Sequence, residues 1–175
     1  MTSGLLLCGD IMQIKPFALA LSFTLVAAAS ATAQPTRVAQ FDAWGVYSYT
    51  DAGQTTCYAL SVPVNAAPRG VDHGDNFFLI APQGETAYAP QVVMGYPLQE
   101  GSEISIKVGD EAFRLLPEDK IAWLRNKDRE PVLVDAMRGG RDMTLEAISR
   151  RGTNTSYSYS LRGVSAALQE VRKCR

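Results

Sequence analysis

The chain is poor in the residues that soluble catalysts and metal proteins lean on. Its 175 residues contain one histidine, His73, and three cysteines, Cys8, Cys57 and Cys174. One imidazole and widely spaced thiols cannot assemble the usual zinc ligand sets. No serine sits in a Gly-x-Ser-x-Gly elbow, so His73 has no marked nucleophile to serve. No Gly-x-Gly-x-x-Gly follows a strand pattern, which leaves nucleotide binding without support. Val71-Asp72-His73-Gly74-Asp75-Asn76 clusters oxygens, but its spacing misses a calcium loop, and it reads as a solvated turn. There is no internal repeat and no low-complexity tract. The pI of about 5.8 argues against nucleic acid as a partner.

Long apolar runs are also missing. The longest, Phe17–Ala29, falls short of the roughly 20 residues a bilayer-spanning helix needs. It follows Lys15 and ends before Ala31-Thr32-Ala33, whose small residues suit a signal peptidase. Residues 1–33 therefore read as a cleaved signal peptide, with Met12 as an alternative true start, because Leu5-Leu6-Leu7 precede Lys15 to no purpose. Cys8 lacks the upstream basic residue and the small residues expected before a lipidated cysteine. Residues 34–175 remain as a single domain in the periplasm or beyond the cell, with no transmembrane anchor in the mature chain.

Two cysteines survive in that domain. In an oxidising compartment Cys57 and Cys174 are expected to form a disulfide closing a loop of 117 residues, two unpaired buried thiols being the alternative. Charge is balanced overall but unevenly placed. Residues 34–113 carry three basic and nine acidic side chains, and residues 114–175 carry thirteen and eight. Mutual neutralisation inside one domain is one reading. The other is a basic face built from Arg138, Arg141, Arg150 and Arg151, whose guanidinium forks suit carboxylate or phosphate groups.

The mature chain has β rhythm. Trp44, Val46 and Tyr47–Tyr49, then Thr55–Val62, alternate around a turn at Thr50–Gln54 and predict a hairpin. Residues 34–40 read as a polar lead-in and Pro63–Asn76 as a loop. Phe77–Ala81, ended by Pro82, predicts a central strand. Further strands are expected at Tyr88–Met94, Glu103–Val108, Glu111–Leu116, Met143–Ile148 and Tyr157–Leu161, with a short apolar piece at Ile121–Leu124. Glu130–Arg138 and Val164–Arg172 have helical spacing, the first with Pro131 in its first turn and Gly139-Gly140 after it. The expected fold is mainly β: an antiparallel β-sandwich or barrel-like single domain with one or two short helices, including a C-terminal helix. Trp44, Trp123, Phe77, Phe78, Tyr157 and Tyr159 are expected in the core, a carbohydrate-binding platform being the alternative.

Taken in order, Phe41-Asp42-Ala43-Trp44-Gly45-Val46-Tyr47, Cys57–Pro63, Gly95-Tyr96-Pro97, Ala122-Trp123, Asp135–Gly140, Ser149–Thr155, Tyr159–Gly163 and the final Cys174 resemble the invasion-associated locus B family of bacterial exported proteins. The resemblance spans about residues 40–174. It implies a periplasmic or secreted, mostly β, single-domain protein and carries no catalytic residues onto this chain. Where such tails commonly have an acidic residue, this chain has Tyr157 and Ser158. It also lacks a cysteine that some members place after the tryptophan. The expectation is a non-enzymatic envelope protein that binds an unidentified protein or an anionic surface. No cofactor and no metal are implied. A general periplasmic maintenance or stress protein is the alternative, and a hydrolase using His73 a weaker one.

Overall fold

The computed structural model describes residues 34–174; the expected signal peptide and Arg175 lie outside the described residues. Eleven strands form one antiparallel sheet: β1 (Thr36–Phe41), β2 (Trp44–Asp51), β3 (Gln54–Ser61), β4 (Asn65–Ala67), β5 (Phe77–Gln83), β6 (Ala87–Val93), β7 (Ile104–Val108), β8 (Glu111–Glu118), β9 (Ile121–Leu124), β10 (Asp142–Ile148) and β11 (Asn154–Ser160). Helix α1 (Glu130–Gly139) precedes β10, and α2 (Val164–Lys173) ends the described chain. Neighbours run in the order β1-β2-β3-β5-β6-β9-β8-β7-β10-β11-β4, and the sheet does not close. The mainly β expectation holds, and the choice between sandwich and barrel resolves into one open sheet bent over a common core.

The bend follows from contacts between strands far apart in that order. Phe78 on β5 meets Tyr159 on β11 edge to face, with ring centroids 6.0 Å apart. The Trp44 indole N–H on β2 donates to the Ser160 carbonyl at 3.0 Å, and the Ala43 amide donates to the Arg162 carbonyl at 3.3 Å. This seam joins the first hairpin to the junction between β11 and α2. It also admits no side chain: a Cβ on Gly163, at φ +90°, would lie 1.9 Å from the Phe41 carbonyl oxygen.

The hairpin of β2 and β3 turns on Ala52 and Gly53, both at positive φ (48° and 81°), with Asp51 facing Gln54. That two-residue turn matches the strand twist, so both strands run further than the predicted loop allowed. Residues 36–40 of the expected polar lead-in join Phe41 to form the edge strand β1. An edge strand has little to bury, which is why no apolar alternation marks it. Residues 65–67, expected to be loop, form the short β4 beside β11. Pro82 does not end β5; it faces Tyr88 across the β5–β6 ladder. Pro82, Pro90 and Pro117 each fall outside the stretch where their strand has partners on both sides. The missing N–H of proline therefore breaks no shared ladder.

Inward positions of the strands and one stripe of each helix make a single core. α2 buries Val164, Ala167, Leu168 and Val171, the spacing of one helical face. Its position is fixed by Tyr88, whose hydroxyl donates to the Leu168 carbonyl at 2.9 Å and accepts from Arg172 Nε at 2.6 Å. Cys57 and Cys174 form a disulfide, their Cα atoms 5.9 Å apart. Tyr159 is fully buried with no partner for its hydroxyl, and burial raises its phenol above the ordinary range.

α1 buries Leu133, Val134 and Met137, and with them the carboxylate of Glu130. Burial raises the Glu130 carboxyl above its ordinary value of 4.5, outweighing the nearby Lys127, which lowers it. The folded protein thus holds this proton more firmly than the unfolded chain does. Its stability falls as pH rises from the ordinary carboxylate value toward the raised one. Glu130→Gln is expected to be more stable than the parent at neutral pH and indistinguishable in acid. Thermal melts across pH check this, and equal curves at neutral pH would refute it.

Candidate functional site

The loop between β4 and β5 is held by its own polar groups. Asp72 Oδ1 accepts from the Gly74 amide at 2.9 Å. Asn76, only 4% exposed, donates to the carbonyls of His73 and Gly74 and accepts from the Gly95 amide at 3.0 Å. Gly74 and Gly95 touch backbone to backbone: a Cβ on Gly95 would come within 2.5 Å of the Asp75 nitrogen. Asn76 therefore pins this loop to Gly95-Tyr96-Pro97, which brings His73 and Tyr96 to the same place.

From there a line of hydrogen bonds enters the core. His73 Nε2 meets the Pro68 carbonyl at 2.9 Å, and Nδ1 meets the Tyr157 hydroxyl at 2.7 Å. Tyr157 Oη lies 3.1 Å from Tyr96 Oη, and Tyr96 Oη 2.6 Å from Thr155 Oγ1. Thr155 donates to the Ala147 carbonyl at 3.1 Å. Burial, then the bond to Tyr96, raises the Tyr157 phenol far above the ordinary range, so it keeps its proton.

The two ends of this line are carbonyl oxygens, which only accept. Five links need five protons. The three hydroxyls and a neutral imidazole supply four, and an imidazole carrying both N–H groups supplies the fifth. The fully bonded form is thus the one in which His73 is cationic, with every link pointing outward from its ring.

The line backs a cavity of about 450 Å³ lined by Asp72, His73, Tyr96, Ser149, Arg151 and Thr155, among others. Its far side is the tight turn between β10 and β11. There Gly152 donates to the Ser149 carbonyl, Thr153 donates to Ser149 Oγ at 3.1 Å, and the Arg150 amide donates to the Pro97 carbonyl. A larger groove of about 690 Å³ lies on the outer face of β7, β8, β10 and β11. Its charges are mixed: Glu103 pairs with Arg125, Glu146 accepts from Ser105, and Lys107 and Arg114 stand nearby. The smaller cavity is the stronger site because a buried polar network fixes its wall.

The four arginines fall into two pairs. Arg138 and Arg141 precede β10, and Arg150 and Arg151 follow its end, so about 23 Å of strand separates them. Arg138 pairs with Asp135 at 3.0 Å and lies over the Tyr88 ring, and Arg150 pairs with Asp119 at 2.9 Å. Arg141 and Arg151 are exposed and have no ion pair among the described residues. Arg151 alone of the four lines the cavity. Of six ion pairs among the described residues, Arg125–Glu103, Arg129–Glu111 and Arg162–Asp42 join the acidic and basic halves. Mutual neutralisation therefore accounts for part of the charge split.

His73 was read as part of a plain turn, which hid its role. The available signal was the inward phase of Tyr157 in an alternating strand, since a buried phenol needs a partner from elsewhere in the chain. Trp44, Phe78, Tyr157 and Tyr159 are core, as expected, whereas Phe77 is half-buried and Trp123 sits on the outer face, 36% exposed, and donates to Gln91. No helix among the described residues is long and apolar enough to cross a membrane. No group of three or more His, Cys, Asp or Glu side chains among them could hold a metal ion.

Residues 44–172 match the family model described as "Invasion associated locus B (IalB) protein". A similar solved structure is the crystal structure of invasion associated protein B from Bartonella henselae. It is 12% identical, with a TM-score of 0.57, covering 76% of this chain and 92% of that one. At that identity the likeness speaks for the fold. No curated protein matches the chain significantly.

Proposed function

Since the chain belongs to the invasion associated locus B (IalB) family, we propose that it works outside the cytoplasm as a non-catalytic binding protein of the bacterial envelope. Residues 34–175 would be its mature domain once residues 1–33 are removed. The observation that carries this reading is the Cys57–Cys174 disulfide within a family-matched domain, because such bonds persist in oxidising compartments.

Binding rather than turnover is supported by how His73 is used. Both ring nitrogens are committed, to Pro68 and Tyr157, and neither partner is a serine or cysteine nucleophile. The partner in this reading is a protein or an anionic surface, met by Arg141 and Arg151, with Arg138 and Arg150 beside them in exposed ion pairs. A role at the host-cell surface is the finer form of this proposal, and periplasmic maintenance is the other.

A deletion strain separates them. Loss of host-cell entry, restored by the exported protein but not by an Arg141→Gln/Arg151→Gln variant, is the expected result. Normal entry combined with envelope stress would move the function to maintenance. Capture from envelope and host-membrane extracts, with the same variant as control, then identifies the partner.

A further inference from the structure

We propose that the cavity between the β4–β5 loop and the β10–β11 turn binds a small organic oxyanion, a carboxylate or phosphate ester of about monosaccharide size. This deepens the reading of the chain as a binding protein and rests on it.

Size comes first. About 450 Å³ falls within the roughly 300–1,000 Å³ typical of small-molecule sites. Charge comes second. Arg151 lines the cavity with no carboxylate partner among the described residues, while its neighbour Arg150 is held by Asp119. His73 adds a second positive charge whenever its hydrogen-bond line is complete. Against these stands Asp72, which also lines the cavity and already has Oδ1 engaged by the Gly74 amide. With that line complete, two cations face one carboxylate, and an incoming anion balances the site.

Donors come third. His73 has no N–H to spare, so it contributes field rather than a bond. Ser149 Oγ accepts from the Thr153 amide, which leaves its own proton for a ligand. The Arg151 fork is the natural bidentate contact for two oxyanion oxygens. Val71, which is exposed at the rim, offers an apolar surface that a bare ion would not use.

The test is titration of the ¹⁵N-labelled mature protein, followed by amide shifts. The probes are glucuronate, glucose 6-phosphate, neutral glucose and inorganic phosphate. Expected are saturable shifts at Val71, Tyr96, Gly152 and Thr153 with glucuronate or glucose 6-phosphate, the tighter of the two naming the oxyanion. Arg151→Gln, an exposed change that should leave the spectrum dispersed, is expected to weaken binding at least about tenfold, and Arg37→Gln, an exposed change on the edge strand β1, to leave it unchanged. Long-range ¹⁵N spectra of the bound protein should show both His73 ring nitrogens protonated. The proposal is overturned if no probe gives saturable shifts, or if Arg151→Gln binds like the parent. Glucose or bare phosphate binding as well as the acidic sugars would overturn it too. Hydrolysis of glucose 6-phosphate would leave the site standing and refute the non-catalytic reading instead.

Discussion

Replacing Cys174 with serine is expected to lower stability by about 4 kcal/mol, the largest single effect foreseen for this chain. The disulfide closes a 117-residue loop, and the chain-entropy account assigns loops of that order about 4–5 kcal/mol. The other anchors of α2 survive the change: its buried stripe, and Arg172, which reaches Tyr88 and the Thr86 carbonyl. The variant should therefore fold and unfold at lower denaturant rather than lose its structure. Guanidinium unfolding followed by tryptophan fluorescence measures the difference, with Cys57→Ser/Cys174→Ser alongside to exclude effects of the remaining thiol. A loss below about 1 kcal/mol would mean that the unfolded chain is already compact enough for the crosslink to restrict little.

Gly163→Ala comes second, with an expected loss of about 2–5 kcal/mol. A side chain at φ +90° costs about 1–2 kcal/mol. Displacing the Phe41 carbonyl adds an overpacking term of about 1–3 kcal/mol. Gly109→Ala separates the two, because Gly109 also has positive φ but open space around it; its loss should stay near about 1–2 kcal/mol. Equal losses at the two positions would show that the seam yields without cost. If the seam does resist, Gly163→Ala should also weaken the Trp44 bond to Ser160, visible as a shifted indole N–H resonance.

Much of the domain was legible in the chain because its signals are local. Alternation marked the hairpin of β2 and β3, the β7–β8 pair and the β10–β11 pair, and the two helices begin where Glu130 and Val164 were expected to start them. β1 and β4 were missed for a shared reason: both sit at a sheet edge, where a strand is specified by its neighbour and not by its own apolar residues. Pro82 misled because its compatibility with a strand depends on which neighbour has already ended. The site was harder still. His73 meets Tyr157 across 84 residues and Tyr96 meets Thr155 across 59, and no spacing rule links such pairs. The arginines show the converse error. Arg138–Arg141 and Arg150–Arg151 are close in sequence, yet the length of β10 sets them at opposite ends.

The contact between Trp44 and Ser160 also bears on how the chain comes to exist. Residue 44 precedes residue 160 both in synthesis and in export, so the first hairpin has to wait for β11 and α2 before its indole and the Cys57 thiol find their partners. Pairing over such separations is slow and leaves apolar surface open to other chains meanwhile. A fragment stopped before β11 would keep that exposed thiol, and with it the capacity to crosslink to the wrong protein. β11 and α2 thus close the seam and occupy the thiol together.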